Sequence, residues 1–321
     1  MSDKPFRIDV HHHIIPPDYV DSLAKIGVSS SLGVNLPSWS VESTLEMMDR
    51  NGIRAAITSI SSPGVYFNHD TDFASGLARR CNEISARLIN DYPRRFGAFA
   101  TLPLPDAGKA LKEIEYSLDK LKLDGIVLLT NYAGKYPGDQ AFDEVFAELN
   151  RRRATVYVHP TDPTGGNPLG VHIPSFLMEV TFDTTRAIAN LIFSGTLEKY
   201  PDISFIFAHA GGTAPYLAWR ISLGTFTWPG AIERAPRDAF SYLKRLYYDT
   251  GLSASPCAFR SLLELVDVSQ VLFGTDYPFA PEIITTETIK GISAYDGFNG
   301  ESKRAVEEKN ALKLFPRFTA L

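Results

Sequence analysis

Short apolar runs rich in Val, Ile and Phe return eight times along the chain, at residues 6–10, 53–60, 96–104, 125–130, 155–159, 203–209, 246–250 and 271–275. Their length and β-branched content predict buried strands. Between most of them the apolar period lengthens to that of amphipathic helices, at 41–51, 71–92, 107–121, 140–152, 184–199, 214–224, 235–244 and 256–266, with a last one at 301–314. In 71–92, for example, Leu77, Cys81, Ile84 and Leu88 fall at helical spacing, and Gly52 stands where a C-cap glycine would close the preceding helix. Alternating strand and helix implies parallel pairing through right-handed crossovers.

Eight such units predict an α/β fold, a closed (β/α)8 TIM barrel, with residues 1–321 forming a single domain of this kind. A doubly wound open sheet is the competing architecture. Its dinucleotide-binding form lacks the G-x-G-x-x-G expected after the first strand. No linker, repeat or low-complexity tract divides the sequence. Two long turn-rich segments, 131–139 and 161–175, follow predicted strands and would therefore sit at the catalytic face of a barrel.

The polar residues at the ends of the runs carry the chemistry. Asp9-Val10-His11-His12-His13 closes the first run. Strand side chains alternate, so His11 and His13 share a face, about 6–7 Å apart, and can chelate one ion. His12 points the other way and reads as structural. Asp9 has the parity of His11 and His13, which predicts an inward carboxylate able to orient a ligand imidazole. A tag fragment or a surface loop is the alternative account of the three histidines. His159 closes the fifth run, His209 the sixth, before Ala-Gly-Gly, and Asp276 the eighth, before Tyr-Pro. Singly, each has an ordinary explanation as a loop residue, a helix cap or an Asx-turn. Jointly, four of the seven histidines and one carboxylate occupy the same end of four strands, and a barrel brings those ends to one rim. Imidazole and carboxylate together suit Zn²⁺ or Mn²⁺. Arg220, eleven residues past His209, is either a solvated helical residue or a carboxylate clamp. Tyr66 and Phe67 are either loop packing or a pocket wall. His69 reads as a polar loop residue, and His172 has no assigned role.

Composition narrows the classes. The chain has 321 residues, 44% hydrophobic and 21% charged, with a net charge of −5. That is a globular composition without the basic tract that nucleic-acid binding needs. No run of 18 apolar residues is present, so no membrane span is predicted. Cys81 and Cys257 belong to no metal or redox motif and predict free thiols in a reducing compartment. Together with the absence of a signal-peptide core, this gives a cytoplasmic protein as the expectation.

In order, Asp-x-His11-x-His13, Val-His159-Pro, His209-Ala-Gly-Gly and Gly-Thr-Asp276-Tyr-Pro resemble the amidohydrolase superfamily. Within it, the aminocarboxymuconate-semialdehyde decarboxylase-like branch and its salicylate-type decarboxylases are the most similar. The resemblance runs from Ile8 to about Pro281 and takes in Ser62-Pro-Gly64, Asn82-Glu83, Lys112-Glu-Ile-Glu-Tyr116 and Tyr248-Asp-Thr250. It implies a barrel with one divalent ion held by His11, His13, His159 and Asp276, and a catalytic His209 beside it. Arg220 falls where some members present a carboxylate-binding arginine, sometimes to a partner subunit, so a homodimer or larger homo-oligomer is implied. Strand four, residues 125–130, has no lysine for the carbamate bridge of dinuclear relatives, which favours a single ion.

The expected function is metal-dependent, non-oxidative decarboxylation of a small aromatic acid with an ortho hydroxyl, a carbon–carbon lyase reaction. Asp276 would deliver the proton to the ring carbon, assisted by His209. The same residues also suit a hydrolase of a lactone, amide or ester, or a hydratase of an unsaturated acid. A non-catalytic barrel used for binding is the remaining alternative.

Overall fold

A computed structural model describes residues 6–163 and 173–319. Eight parallel strands form one sheet in chain order: β1 Arg7–His13, β2 Ile53–Ser59, β3 Phe96–Thr101, β4 Gly125–Leu129, β5 Thr155–His159, β6 Ser204–Phe207, β7 Tyr247–Asp249 and β8 Val271–Leu272. The sheet closes on itself. Val10 N donates to Phe273 O at 2.9 Å, Asp276 N to His11 O at 2.8 Å and His13 N to Tyr277 O at 2.8 Å. The architecture is the (β/α)8 barrel that the strand–helix alternation predicts.

Alternate strand residues fill the barrel: Ile8, Val10, Ala55, Ile57, Phe99, Val127, Tyr157, Ile206, Ala208 and Leu272 form one buried cluster, stoppered at the bottom by Ala311, Phe315 and Phe318. The other set, including Ala56, Ala98, Ile126, Val156, Phe205 and Tyr248, packs against the surrounding helices. Burial on both faces explains why these strands read as unbroken apolar runs rather than alternating ones. Helices are started by side-chain caps from Ser40, Asp70, Asp106, Asp238, Ser255 and Asn299, which satisfy otherwise unpaired N–H groups.

Strand and helix limits differ from the sequence expectation in instructive places. Helices Pro17–Ala24 and Glu282–Ala294 were not predicted. The first is short, and the second is so rich in Ile and Thr that its helical period is blurred. The helix expected at 184–199 begins at Glu179 and breaks at Gly195, whose φ of 83° requires glycine's freedom, before a short turn Thr196–Lys199. Strands β6 and β8 are shorter than the apolar runs, because the chain leaves the ladder before His209 and Asp276.

β1 carries a correction to the parity argument. Asp9 pairs with Ala56 and His12 with Thr58, so three residues of β1 oppose two of β2. This bulge shifts the alternation by one. Ile8 and Val10 face the interior, and His11 and His13 do so after them, whereas Asp9 joins His12 instead. Bulges beside active sites commonly re-aim side chains in this way.

Candidate metal centre

Four strand ends deliver His11, His13, His159 and Asp276 to the barrel mouth, where one donor atom from each lies within 4.8 Å of all the others. His11 Nε2 and His13 Nε2 each stand 3.0 Å from Asp276 Oδ1. All four side chains are buried. Their other ring nitrogens are engaged. His11 Nδ1 lies 2.9 Å from Asp249 Oδ2, a close electrostatic pair rather than an in-line hydrogen bond. His13 Nδ1 is 3.1 Å from Ser59 Oγ, and His159 Nδ1 is 2.8 Å from Pro160 O. Carbonyl and carboxylate partners favour the neutral tautomers of His159 and His11 with the proton on Nδ1, which would leave Nε2 free to ligate an ion. His159 Nε2 is buried and has no hydrogen-bond partner, and His11 Nε2 faces only Asp276 Oδ1. An orphaned polar atom in a closed interior is unfavourable unless something is bound there. Three imidazole nitrogens and a carboxylate oxygen fit a divalent transition ion.

Electrostatics agree with this fit. For His11, burial opposes the charged form, but Asp249 and Asp276 outweigh it and raise its pKa to about 10. Without an ion, a proton on His11 balances the two carboxylates; a cation takes over that balance. Burial, reinforced by the neighbouring His13 and His11, holds His159 neutral, well below the ordinary histidine range. Burial alone would raise Asp276, yet the charge of His11 close beside it and the hydrogen bonds from His13 and His209 hold it well below the carboxylate range.

The glycines around His11 belong to the site. A Cβ on Gly251 would stand 2.8 Å from His11 Nδ1, and one on Gly274 would stand 2.8 Å from His11 Cβ. The ring therefore fits only against bare backbone. His209 reaches the centre by leaving β6 in a left-handed conformation, φ 55°, and its Nε2 lies 3.4 Å from Asp276 Oδ2. Asp276 has φ 65°. Non-glycine residues in this region are uncommon and gather at functional sites.

Two carboxylates organise the surroundings. Asp249, at the end of β7, was not singled out as a site residue from sequence. It is fully buried, with Oδ2 accepting from Tyr157 Oη at 2.9 Å and Oδ1 from the backbone N–H of His209 at 3.0 Å and of Gly251 at 2.9 Å. The available signal was its position at the same end of the seventh run. Asp9 does not orient a ligand imidazole. Its Oδ2 lies 2.9 Å from His12 Nδ1 and accepts from Thr275 Oγ1 at 2.6 Å, while Oδ1 accepts from His11 N at 3.0 Å and Thr275 N at 3.1 Å. His12 is buried against the Tyr277 ring and takes no part in the four-residue cluster.

The remaining candidates are dispersed. Tyr66 and His69 contact each other and line a cavity of about 100 Å³ with Asn131, Tyr132, Thr161 and Asp162. Phe67 packs on Tyr19 and Phe73. Arg220 is exposed on the helix Ala214–Ser222 and is not brought to the cluster by this chain. His172 lies outside the described residues. Next to His209 is a cavity of about 190 Å³ lined by Phe176, Leu177, Val180, Thr181, Leu252 and Ser253.

A barrel with this cluster at its C-terminal rim is the arrangement of an amidohydrolase, and residues 8–317 match that family, to which the chain belongs. Over 318 residues it is 34% identical to a 6-methylsalicylic acid decarboxylase of Penicillium expansum, covering 98% of each chain. The fold superimposes on the crystal structure of an amidohydrolase II with a TM-score of 0.90, at 29% identity, covering 97% of this chain and 99% of the other. It also superimposes on a 5-carboxyvanillate decarboxylase of Novosphingobium aromaticivorans with a TM-score of 0.85, at 22% identity, covering 98% and 99%. That structure holds manganese and 4-hydroxy-3-methoxy-5-nitrobenzoic acid. The resemblance to the decarboxylase branch is borne out, and carboxy-lyase relatives support the lyase class for this chain. Among the described residues, no helix is long and apolar enough to cross a membrane.

Proposed function

We propose that this chain is a metal-dependent, non-oxidative decarboxylase of aromatic acids carrying an ortho hydroxyl. The observation that carries it is the gathering of one donor atom each from His11, His13, His159 and Asp276 within 4.8 Å of one another, with each Nδ1 facing a partner outside the cluster. His11, His13, His159 and Asp276 would hold one Mn²⁺ or Zn²⁺. When bound, that ion supplies positive charge to neutralise the substrate's phenolate and carboxylate oxygens.

The proton is the work of the side chains. Losing CO₂ directly from an arene would leave an aryl anion, so the ring carbon must be protonated first. Asp276 is ionised at rest and cannot donate until it has gained a proton. The substrate's ortho hydroxyl brings one within reach. Asp276 takes it and passes it to the carbon bearing the carboxylate, whose C–C bond then breaks as the ring regains aromaticity. His209 Nε2 steers the Oδ2 atom that shuttles the proton. Water restores the phenol proton on release and its hydroxide is taken up by CO₂, so the balance is carboxylate and water to arene and bicarbonate.

A homodimer belongs to the same proposal. Tyr216, Trp219, Phe226, Trp228 and Ile232 are each more than half exposed on residues 216–232, beside Arg220. A patch of this kind on a monomer is unusual and suits a second copy.

The test is turnover of metal-loaded enzyme on salicylates in D₂O with CO₂ detection. One deuterium at the carbon that lost CO₂ is expected. A ring-opened or hydrated product without CO₂ would place the chain among the hydrolases or hydratases instead.

A further inference from the structure

We infer that Thr130 is a positioning residue for the metal centre: its hydroxyl, held by the buried carboxylate of Asp183, fixes the Pro160–Thr161 peptide plane and, through it, the His159 tautomer that leaves Nε2 free for an ion. The inference rests on reading the four-residue cluster as a metal centre.

Thr130 follows the last residue of β4 and is fully buried. Its backbone N–H donates to His159 O at 3.0 Å and so extends the β4–β5 pairing by one step. Its hydroxyl donates to Asp183 Oδ2 at 2.5 Å and accepts from Thr161 N at 3.1 Å. A hydroxyl has one proton, and an ionised carboxylate only accepts. The proton committed to Asp183 leaves the lone pairs of Thr130 Oγ1 for the Thr161 amide. Asp183 stands on the helix Glu179–Phe193 and is itself fully buried. Asn131 Nδ2 donates to its Oδ2 at 2.9 Å and Tyr136 Oη to its Oδ1 at 2.5 Å, with an Arg186 guanidinium nitrogen 3.5 Å from Oδ1. These contacts hold the carboxylate still behind Thr130.

The Thr161 amide belongs to the same rigid peptide unit as the Pro160 carbonyl. In a trans unit the C=O and N–H point in opposite directions. Holding the N–H toward Thr130 therefore holds the C=O toward His159 Nδ1, 2.8 Å away. A carbonyl accepts and cannot donate, so it keeps the proton of the neutral ring on Nδ1. Nε2, buried with no hydrogen-bond partner, is then the atom with the lone pair. Ser62 Oγ lies 2.8 Å from Thr161 Oγ1 and ties down the same turn after β2. That contact acts on the side chain, so it holds the turn in place without setting the direction of the peptide plane.

The experiment reads the His159 tautomer by nitrogen NMR of metal-free protein carrying isotope-labelled histidine, the resonance being assigned by its loss in His159→Gln. Mn²⁺ affinity is measured separately, by competition with a chelator. Wild type should carry the His159 proton on Nδ1. Thr130→Val, which keeps the shape and removes the hydroxyl, should move His159 toward the tautomer protonated on Nε2. It should also weaken Mn²⁺ binding about tenfold, the low end of what losing a partner behind a ligand histidine costs. Thr130→Ser should restore both. A merely structural threonine would lower the melting temperature of Thr130→Val and leave tautomer and affinity as in wild type. That result overturns the proposal, and so does a Thr130→Ser protein as impaired as Thr130→Val. If Thr130→Val does not fold, Asp183→Asn decides. Its amide oxygen accepts from Thr130 more weakly than a carboxylate does, so both readouts should move the same way by less. A wild-type tautomer and affinity in Asp183→Asn would then overturn the proposal. If the wild type binds neither Mn²⁺ nor Zn²⁺, the metal-centre reading fails, and the His159 tautomer in these variants still decides what Thr130 does.

Discussion

Asp249→Asn should weaken binding at the metal site without unfolding the barrel. The carboxylate faces four groups: His11 Nδ1, the Tyr157 hydroxyl and the backbone N–H groups of His209 and Gly251. An amide of the same shape must put its NH₂ toward one pair of them. Turned toward His11, it favours the tautomer with the proton on Nε2, which removes the lone pair aimed at the ion. Turned toward the backbone, it faces the donors of His209 and Gly251, and each buried group left unpaired costs about 1–3 kcal/mol. The two escapes are both unfavourable. Removing a partner behind a ligand histidine weakens metal binding about 10–100-fold, or about 1.4–2.7 kcal/mol. The assay is competition of the ion between protein and a chelator of known affinity, with circular dichroism to confirm the fold. Tyr157→Phe is the control, since it removes one donor and keeps the ring stacked on Phe99 at 5.2 Å; a smaller loss is expected. Metal affinity in Asp249→Asn within about threefold of wild type would refute the idea that this carboxylate fixes the His11 tautomer.

Other outcomes follow from the same geometry. The ion-free protein should lose stability as pH rises from about 6.5 to about 10. The His11 pKa is raised on folding, so its pairing with Asp249 and Asp276 is fully present below the unfolded value and is lost on passing the folded one. Thermal melts of metal-free protein against pH check this, and melts rising over that window would contradict it. Asp276→Asn should lower decarboxylation at least about 100-fold, as loss of a general acid does, and wild-type turnover in that variant would exclude Asp276 as the proton donor. His209→Asn should slow turnover with metal content kept. His12→Ala should destabilise the fold by about 1–3 kcal/mol, by leaving Asp9 short of a partner, yet keep metal occupancy, whereas His11→Ala and His13→Ala should both lower it. Trp219→Asp should shift sedimentation toward a single chain if a second copy covers that helix, and an unchanged monomeric wild type would dispose of the homodimer.

Some of this protein is written in local chemistry. Eight apolar runs separated by helical periods are enough to specify a parallel α/β fold and to point to a barrel over a doubly wound sheet, because burial on both faces leaves a continuous apolar signature and parallel crossovers have one hand. The positions of His11, His13, His159, His209 and Asp276 at run ends are legible too, since a closed barrel gathers those ends whatever the loops do. Other features needed the three-dimensional arrangement. Strict alternation assigns Asp9 to the ligand face, and a single bulge, set by how β1 registers on β2, moves it to His12 instead. Asp249 is one acidic residue among many until the barrel closes and four donors point at it. The helix at Glu282–Ala294 escapes the periodic pattern because its β-branched residues serve packing rather than propensity. The left-handed turns at His209, Leu252 and Asp276 are likewise invisible in sequence, since none is a glycine. Sequence records what each residue prefers by itself. Register, tautomer and backbone strain arise only when distant strands meet, and in this barrel those decide which groups gather at its mouth.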